Sequence, residues 1–168
     1  MLLRTRMKRL VSVILIIACM TGCGILTACG TDDIDISSYA SKEVVLSGIQ
    51  DEDIVLTIAD LKAMECKTVK THSTSDKIGD VRATGPELDI VLAAYGVSKS
   101  DFDKIIIYGT DQYDVKLKND YITTNDIYLA FGVDGEPLDT ESAPCRIIIP
   151  ESDSAYWTRM VNRIEFIR

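Results

Sequence analysis

The stretch APCRIIIP (residues 143–150) sets a cysteine and an arginine at the start of an apolar run that two prolines enclose. Cys145 could be a metal ligand, half of a disulfide, or a small apolar residue of the core. Arg146 could anchor carbonyl groups or a carboxylate at a strand edge, or its guanidinium could bind a ligand. Which of these roles is open depends on the other reactive side chains of the chain.

His72 is the single histidine, so a Ser/His/Asp or Cys/His triad would have to use it. It lies in VKTHST beside Ser73, without a nucleophile-elbow motif, and we interpret it as a histidine of a surface or half-buried strand. A zinc site of His72, Cys66 and Cys145 would lack the paired CxxC spacing of such sites. The histidine therefore points to no catalytic or zinc chemistry.

Acidic residues form short clusters, none of which has the register of a calcium-binding loop, and the chain has no glycine-rich phosphate loop. The clusters are Asp32/Asp33/Asp35, Asp51–Asp53 and Asp101/Asp103. We interpret them as solvated charges.

Residues 1–28 have the pattern of a bacterial lipoprotein signal peptide. Four basic residues precede the apolar stretch Leu10–Leu26, and the small residues of LTAC then lead into Cys29. This pattern predicts cleavage before Cys29 and attachment of lipid to it, which places the protein in the bacterial cell envelope, outside the cytoplasm. The alternative is an uncleaved transmembrane anchor, because the apolar stretch approaches the ~20 residues that span a bilayer.

Removal of residues 1–28 would take away four basic residues and no acidic ones, which changes the formal charge from −8 to −12. Such an acidic surface repels phosphate backbones and excludes a nucleic acid as partner. The lipid on Cys29 would attach the protein to the membrane. The sequence does not identify a further protein or small-molecule partner. Residues 29–42 are small, acidic and aperiodic, so we predict a flexible tether there and one folded domain over residues 43–168.

Two cysteines, Cys66 and Cys145, lie within that predicted domain. An exported compartment permits a disulfide, and in the chain-entropy description a loop of this length would contribute roughly 4–5 kcal/mol of stability. We favour two separate buried cysteines, with the disulfide kept as the alternative.

The pattern of the domain predicts short helices among mixed strands, an α+β fold. Thr57 and Asp60 form a potential capping box at the start of one helix, and TGPELDIVLAAYGV predicts a second, with Pro86 in its first turn and Gly96 at its end. DKIIIYGTDQYDVKL predicts two strands around a turn, and Asp134-Gly135 predicts a tight hairpin. EVVLSG, CKTVKTHST, CRIIIP and MVNRIEFI are each expected to be strands.

Taken in order, several motifs resemble those of the sulfite-oxidase-type oxidoreductase molybdopterin-binding domain family. They are LTIADLKAM, TGPELDIVLAAYGV, YGTDQYDVKLKND, DIYLAFGVDGEPL, APCRIIIP and RMVNRIEF, and they cover residues 44–168. The resemblance implies the family's fold. It also implies that Cys145 occupies a core strand position and that Arg146 matches the family's arginine.

The same resemblance exposes departures in the residues that would hold the cofactor. The family binds molybdenum through a cysteine thiolate after the first helix and strand, where this chain reads VKTHSTSDKIG; Cys66 lies several residues too early. Glu141 stands where the family has a histidine, and basic residues for the pterin phosphate are sparse, with Arg82, Arg146 and Arg159 as candidates. A molybdopterin enzyme is exported folded by a twin-arginine signal, but the basic region here has no Arg-Arg pair.

Two functions follow as expectations. The first is an envelope lipoprotein whose domain is a non-catalytic binding or interaction module without cofactor. The second is a molybdopterin-dependent oxidoreductase with altered ligation, in which Cys66 supplies the thiolate. The resemblance places the ligand cleft at Arg82, Thr84, Gly85, Asp111, Gln112, Tyr113 and Arg146.

Overall fold

The computed structural model describes residues 33–75 and 79–168. The predicted signal peptide and Cys29 lie outside the described residues. Within them the fold is a single α+β domain of mixed sheets and short helices, as the sequence predicted.

A five-stranded sheet forms one layer, in the order β2-β1-β11-β5-β6. Its strands are β1 (Glu43–Ser47), β2 (Ile54–Thr57), β5 (Lys104–Gly109), β6 (Asp114–Lys118) and β11 (Val161–Ile167). The last strand, β11, runs parallel to β1 and antiparallel to β5, so it joins the first part of the domain to its centre. In β6 buried and exposed residues alternate, which is the pattern of a strand with one face toward the core.

The remaining strands form two smaller sheets. A four-stranded sheet has the order β3-β4-β8-β9, and a two-stranded ribbon pairs β10 with β7. The strands are β3 (Cys66–Thr71), β4 (Val81–Pro86), β7 (Tyr128–Ala130), β8 (Gly132–Val133), β9 (Glu136–Pro137) and β10 (Arg146–Ile148). The Phe131 N–H donates to the Thr84 carbonyl, and Glu87 bridges to Tyr128, so β4 and β7 lie side by side.

The helices are α1 (Ile58–Ala63), α2 (Leu88–Ala93) and α3 (Asn119–Thr124), with 3-10 turns at Lys99–Asp101 and Ser154–Tyr156. The capping box of α1 is confirmed: the Asp60 N–H donates to the Thr57 hydroxyl, and the Thr57 N–H donates to the Asp60 carboxylate. The hairpin is confirmed too, with positive φ at Asp134 and Gly135, as a two-residue turn of that handedness requires. Among the described residues no helix has the length and apolar character needed to cross a membrane.

The second helix starts later than predicted. Thr84, Gly85 and Pro86 belong to β4, and α2 begins at Leu88 after an extended Glu87. The reason is tertiary pairing: β4 is bonded to β3 on one side and to β8 and the residues around β7 on the other. Strand β4 thus includes the first three residues of the stretch for which the sequence predicts a helix.

Residues 33–42 form an N-terminal arm that packs on the domain, so the predicted flexible tether is wrong for this part of residues 29–42. Ile34, Ile36 and Tyr39 are buried in the core. The Tyr39 hydroxyl donates to the Phe131 carbonyl at 2.6 Å and accepts from the Leu138 N–H at 2.9 Å. The segment is rich in small and acidic residues, but its three apolar side chains are spaced so that they pack into the core. Those side chains determine where the arm lies.

Candidate functional site

Arg146 is the charged residue at the centre of the candidate site. It opens β10 opposite Ala130 of β7, and its guanidinium carbon lies 5.7 Å from the centre of the Trp157 ring. Burial lowers the pKa of Arg146, Arg159 nearby lowers it further, and Asp139 opposes them. The buried Nε has no hydrogen-bond partner among the described residues. The predicted anchoring of carbonyls or a carboxylate is therefore replaced by stacking on an indole.

The segment that carries Trp157 lies against β10. The Ile147 N–H donates to the Thr158 carbonyl at 2.8 Å, and the Val161 N–H donates to the Cys145 carbonyl at 2.8 Å. The Thr158 hydroxyl is buried and, like Arg146 Nε, has no partner in the described part of the chain. Two unsatisfied polar atoms thus lie on bonded neighbouring segments, where a ligand or water could satisfy them. The sequence motifs did not include Trp157 or Thr158.

Thr84 and Gly85 face no open surface. The Thr84 hydroxyl is fully buried and hydrogen-bonded to that of Thr68 at 2.9 Å. A Cβ on Gly85 would clash with the Leu129 carbonyl oxygen, so the glycine allows β4 and β7 to approach each other. Both residues are next to the ribbon that carries Arg146, but their role there is packing, contrary to the predicted ligand contacts.

Arg82 is exposed on β4, where its backbone exchanges hydrogen bonds with Asp134. Cys66 lies toward the other end of the paired strands β3 and β4, opposite Pro86. Arg82 pairs with Lys70, four residues along β3 from Cys66, a separation of about 13 Å at the rise of a β-strand. The structure does not bring Cys66 to Arg82.

The turn Asp111–Tyr113 lies between the end of β5 and the start of β6. The Asp111 carboxylate accepts from the Tyr113 N–H at 3.1 Å, and Gln112 has a positive φ. The Tyr113 ring is 46% exposed, and its hydroxyl donates to the Ala155 carbonyl at 2.8 Å. The geometry is thus that of a tight turn whose tyrosine is held by a hydrogen bond.

The predicted cleft divides into two parts around residues 153–160. The Thr110 N–H donates to the Met160 carbonyl, whereas the Met160 N–H donates to the Ser142 carbonyl. The turn at 111–113 therefore lies on one side of this segment, and Arg146 with the ribbon lies on the other. The structure connects these residues through the segment without assembling them into one pocket.

Hydroxyl groups and backbone form a hydrogen-bond network at residues 71–75, the described start of the region where the family has its ligand cysteine. The Ser73 hydroxyl and the Thr74 N–H both donate to the Ser152 carbonyl, at 3.2 and 3.0 Å, and the Glu151 N–H donates to the Thr71 hydroxyl at 3.1 Å. The Ser152 hydroxyl in turn donates to the Ile149 carbonyl. His72 is exposed beside this network. The segment is thus bonded to the loop at 149–152.

Both cysteines of the domain are free thiols, so the disulfide alternative is wrong. The Cys66 thiol donates to the Leu61 carbonyl at 3.4 Å, and burial raises its pKa to about 11. Cys145 is fully buried in the core, as predicted, and burial raises its pKa to about 12. Metal ligation requires the thiolate, which neither environment favours.

Donors for the molybdopterin of the alternative function are poorly matched in the described residues. No group of three or more histidine, cysteine or acidic side chains there could hold a metal ion. Arg159 lies 3.7 Å from the Glu141 carboxylate, so one of the three candidate phosphate-binding arginines already faces an acid. The residues present do not fit a molybdenum–pterin group bound through a thiolate.

Comparisons with known proteins agree with this fold. The solved structure of the sulfane dehydrogenase SoxCD from Paracoccus pantotrophus matches with a TM-score of 0.66 and 18% sequence identity. The match covers 77% of this chain but 39% of that one, so this chain spans well under half of that protein's length. A search of curated proteins found no match. The family described as oxidoreductase molybdopterin binding domain matches residues 33–168, which include the arm, and the chain belongs to that family.

Proposed function

We propose that this chain is an extracytoplasmic lipoprotein, anchored to the bacterial membrane through Cys29, whose domain is a non-catalytic binding module. The observation that carries the proposal is the state of the two thiols. Cys66 donates to a helix carbonyl, Cys145 is sealed in the core, and both have a raised pKa. A family domain that retains its fold without a poised thiolate is suited to binding rather than to molybdenum chemistry.

The binding site that fits this proposal is the part of the cleft around Arg146. A half-buried guanidinium whose buried Nε lacks a partner among the described residues favours an acceptor group of a ligand, and the buried Thr158 hydroxyl on the neighbouring segment could add a second bond. The alternative enzyme would need Cys66 next to Arg82 and Arg146. The pairing of Cys66 with Pro86 speaks against that arrangement.

Molybdenum content tests the non-catalytic proposal. The full-length protein would be extracted from membranes of a host that makes molybdopterin, and a form beginning at Gly30 would be produced in the cytoplasm of the same host. We expect neither to contain stoichiometric molybdenum or pterin fluorescence. Near-stoichiometric molybdenum in a folded sample would overturn the proposal, and its loss in Cys66→Ser would identify the unusual ligand.

Lipid attachment is tested by growth with an alkyne fatty acid followed by in-gel detection. We expect label on the wild-type chain, loss of label in Cys29→Ser, and retention in the matched variant Cys23→Ser. Label that persists in Cys29→Ser would remove the lipid anchor from the proposal. An unlabelled wild-type chain that stays in the membrane would favour the uncleaved transmembrane anchor.

A further inference from the structure

Strand β6 is one of the two edge strands of the five-stranded sheet, and β2 is the other. Within the described sheet β6 pairs with β5 and with no further strand. The Gly109 N–H donates to the Tyr113 carbonyl at 2.9 Å, which fixes the direction of the backbone groups that follow. In an antiparallel pair these groups alternate, so Val115 and Leu117 face β5, whereas Asp114 and Lys116 turn their N–H and C=O groups outward.

An open groove of about 310 Å³ runs along this edge. Residues 113–116 line one side of it, and Asp153, Ala155 and Tyr156 line the other. Successive side chains of a strand point to opposite faces of the sheet. A cavity that touches four consecutive residues therefore lies against the strand's edge, where Asp114 and Lys116 present their outward backbone groups.

Two aromatic rings border the groove. Val55, Tyr113 and Tyr156 are the large hydrophobic residues exposed in the described part of the chain, and two of these three belong to this one groove. The Tyr113 hydroxyl is bonded to Ala155, and the Tyr156 ring lies 5.1 Å from that of Tyr121. Both rings are thus held in place before any ligand arrives, which reduces the entropy lost on binding.

The charges of the groove are net negative. Asp114 lies 3.5 Å from Lys116, and Asp153 caps the turn that follows it by accepting from the Ala155 N–H. Two carboxylates and one ammonium group next to exposed tyrosine rings favour a guanidinium, which can stack on a ring while it pairs with a carboxylate.

We propose that the β6 edge binds an extended, arginine-containing peptide segment of a partner protein, which adds to the sheet as a sixth strand. The outward backbone groups would supply its main-chain hydrogen bonds, and the tyrosines with Asp114 and Asp153 would select its side chains. This names a partner class for the proposed binding module. The proposed peptide site lies on a different surface from Arg146, and the measurement of molybdenum content does not test it.

The test uses the full-length protein in detergent micelles and a dye-labelled hexapeptide that alternates arginine and valine, followed by fluorescence polarisation. Two matched peptides serve as controls: one replaces arginine by glutamate, and the other carries N-methyl groups that block its main-chain hydrogen bonds. Lys116→Pro removes one outward N–H, whereas Lys116→Ala removes the same side chain and keeps that N–H. Tyr156→Ala and Tyr156→Phe form a second pair that leaves the strand backbone intact.

We expect the arginine peptide to bind, with a Kd at least tenfold higher for either control peptide. We expect a similar loss in Lys116→Pro and Tyr156→Ala. Lys116→Ala, which frees the Asp114 carboxylate for the arginine, should bind at least as tightly as the wild-type chain, and Tyr156→Phe should change the Kd by no more than about twofold. No binding of the arginine peptide to the wild-type chain, or equal binding of the N-methylated one, would overturn the proposal. Binding of chitotetraose that depends on Tyr156, without binding of the peptide, would assign the groove to saccharides instead. If the groove bound the peptide in a chain that also contained molybdenum, this inference would stand and the proposed function would fall.

Discussion

A half-buried guanidinium that has no described carboxylate partner destabilises a small domain unless something else holds it. Arg146 stacks on Trp157, but its Nε stays without a partner among the described residues, and Arg159 adds a like charge nearby. A residue kept only for stability would be expected to have its donors satisfied. Under the proposed function, a ligand would supply the missing acceptor.

Replacement of Arg146 by methionine distinguishes a role in stability from a role in ligand binding. If the arginine serves a ligand, Arg146→Met leaves the free energy of unfolding within about 0.5 kcal/mol or raises it, because an unpaired buried charge is removed. Urea unfolding followed by far-UV circular dichroism measures this, since Trp157 fluorescence would itself respond to loss of the stacked guanidinium. Arg163→Met is the matched control on the surface. A loss of more than about 2 kcal/mol would instead make Arg146 a structural anchor.

The two thiols predict a dependence of stability on pH. In the unfolded chain a cysteine ionises near its ordinary pKa of 9, but in the native protein Cys66 ionises near 11 and Cys145 near 12. Folding therefore favours the protonated thiols, and the free energy of unfolding falls as the pH rises from 9 toward 11. We expect Cys66→Ser and Cys145→Ala to flatten this fall, measured by urea unfolding from pH 8 to pH 11. An unchanged slope in both variants would contradict the assignment.

At the scale of the element, local sequence was sufficient where local contacts decide the structure. The Thr57–Asp60 box, the Asp134-Gly135 hairpin and the strands on either side of the turn at 109–113 were all predicted. Each depends on side chains within a few residues or on strict alternation of burial. The parallel pairing of β1 with β11 joins residues more than a hundred positions apart, and no local pattern specifies it.

The errors in the candidate site have the same origin. Thr84 and Gly85 were placed at a ligand because their motif matched the family, but the strand β4 and its close contact with Leu129 depend on chain segments distant in sequence. Arg146 was found from its motif, whereas Trp157 and Thr158 belong to an irregular segment without periodicity. Only tertiary structure brings that segment to β10.

The N-terminal arm is an element whose contribution can be measured at one atom. Tyr39→Phe leaves the ring but removes the hydroxyl that joins Phe131 and Leu138, so a buried carbonyl and a buried N–H lose their partner. We expect a loss of about 1–3 kcal/mol in the free energy of unfolding. Tyr156→Phe, at an exposed ring, should change it by less than about 0.5 kcal/mol. Equal values for both variants would show that the two hydrogen bonds of the Tyr39 hydroxyl add little to the stability of the fold.

At the scale of the whole molecule, the packed arm limits how far the domain can lie from a lipid on Cys29. Four residue steps separate Cys29 from Asp33, a span of at most about 14 Å even when fully extended. The arm leads directly into β1, and β6 lies three strand spacings away in the sheet, about 14 Å further across it. With a lipid on Cys29, the arm side would lie near the membrane and the β6 edge would lie away from it.

This orientation, which rests on the proposed lipid anchor, predicts unequal access to a bulky reagent. Glu136 lies by the arm, since its carbonyl oxygen and the Ile34 side chain would both contact a Cβ added to Gly132, whereas Lys116 lies on β6. In cells whose outer layers admit a maleimide polymer, Lys116→Cys should react several times faster than Glu136→Cys, because the membrane shields the arm side. An insertion of about ten glycine and serine residues after Gly30 lengthens the flexible reach and should bring the two rates together. Equal rates without the insertion, on a chain shown to be lipid-modified, would mean that the arm does not orient the domain.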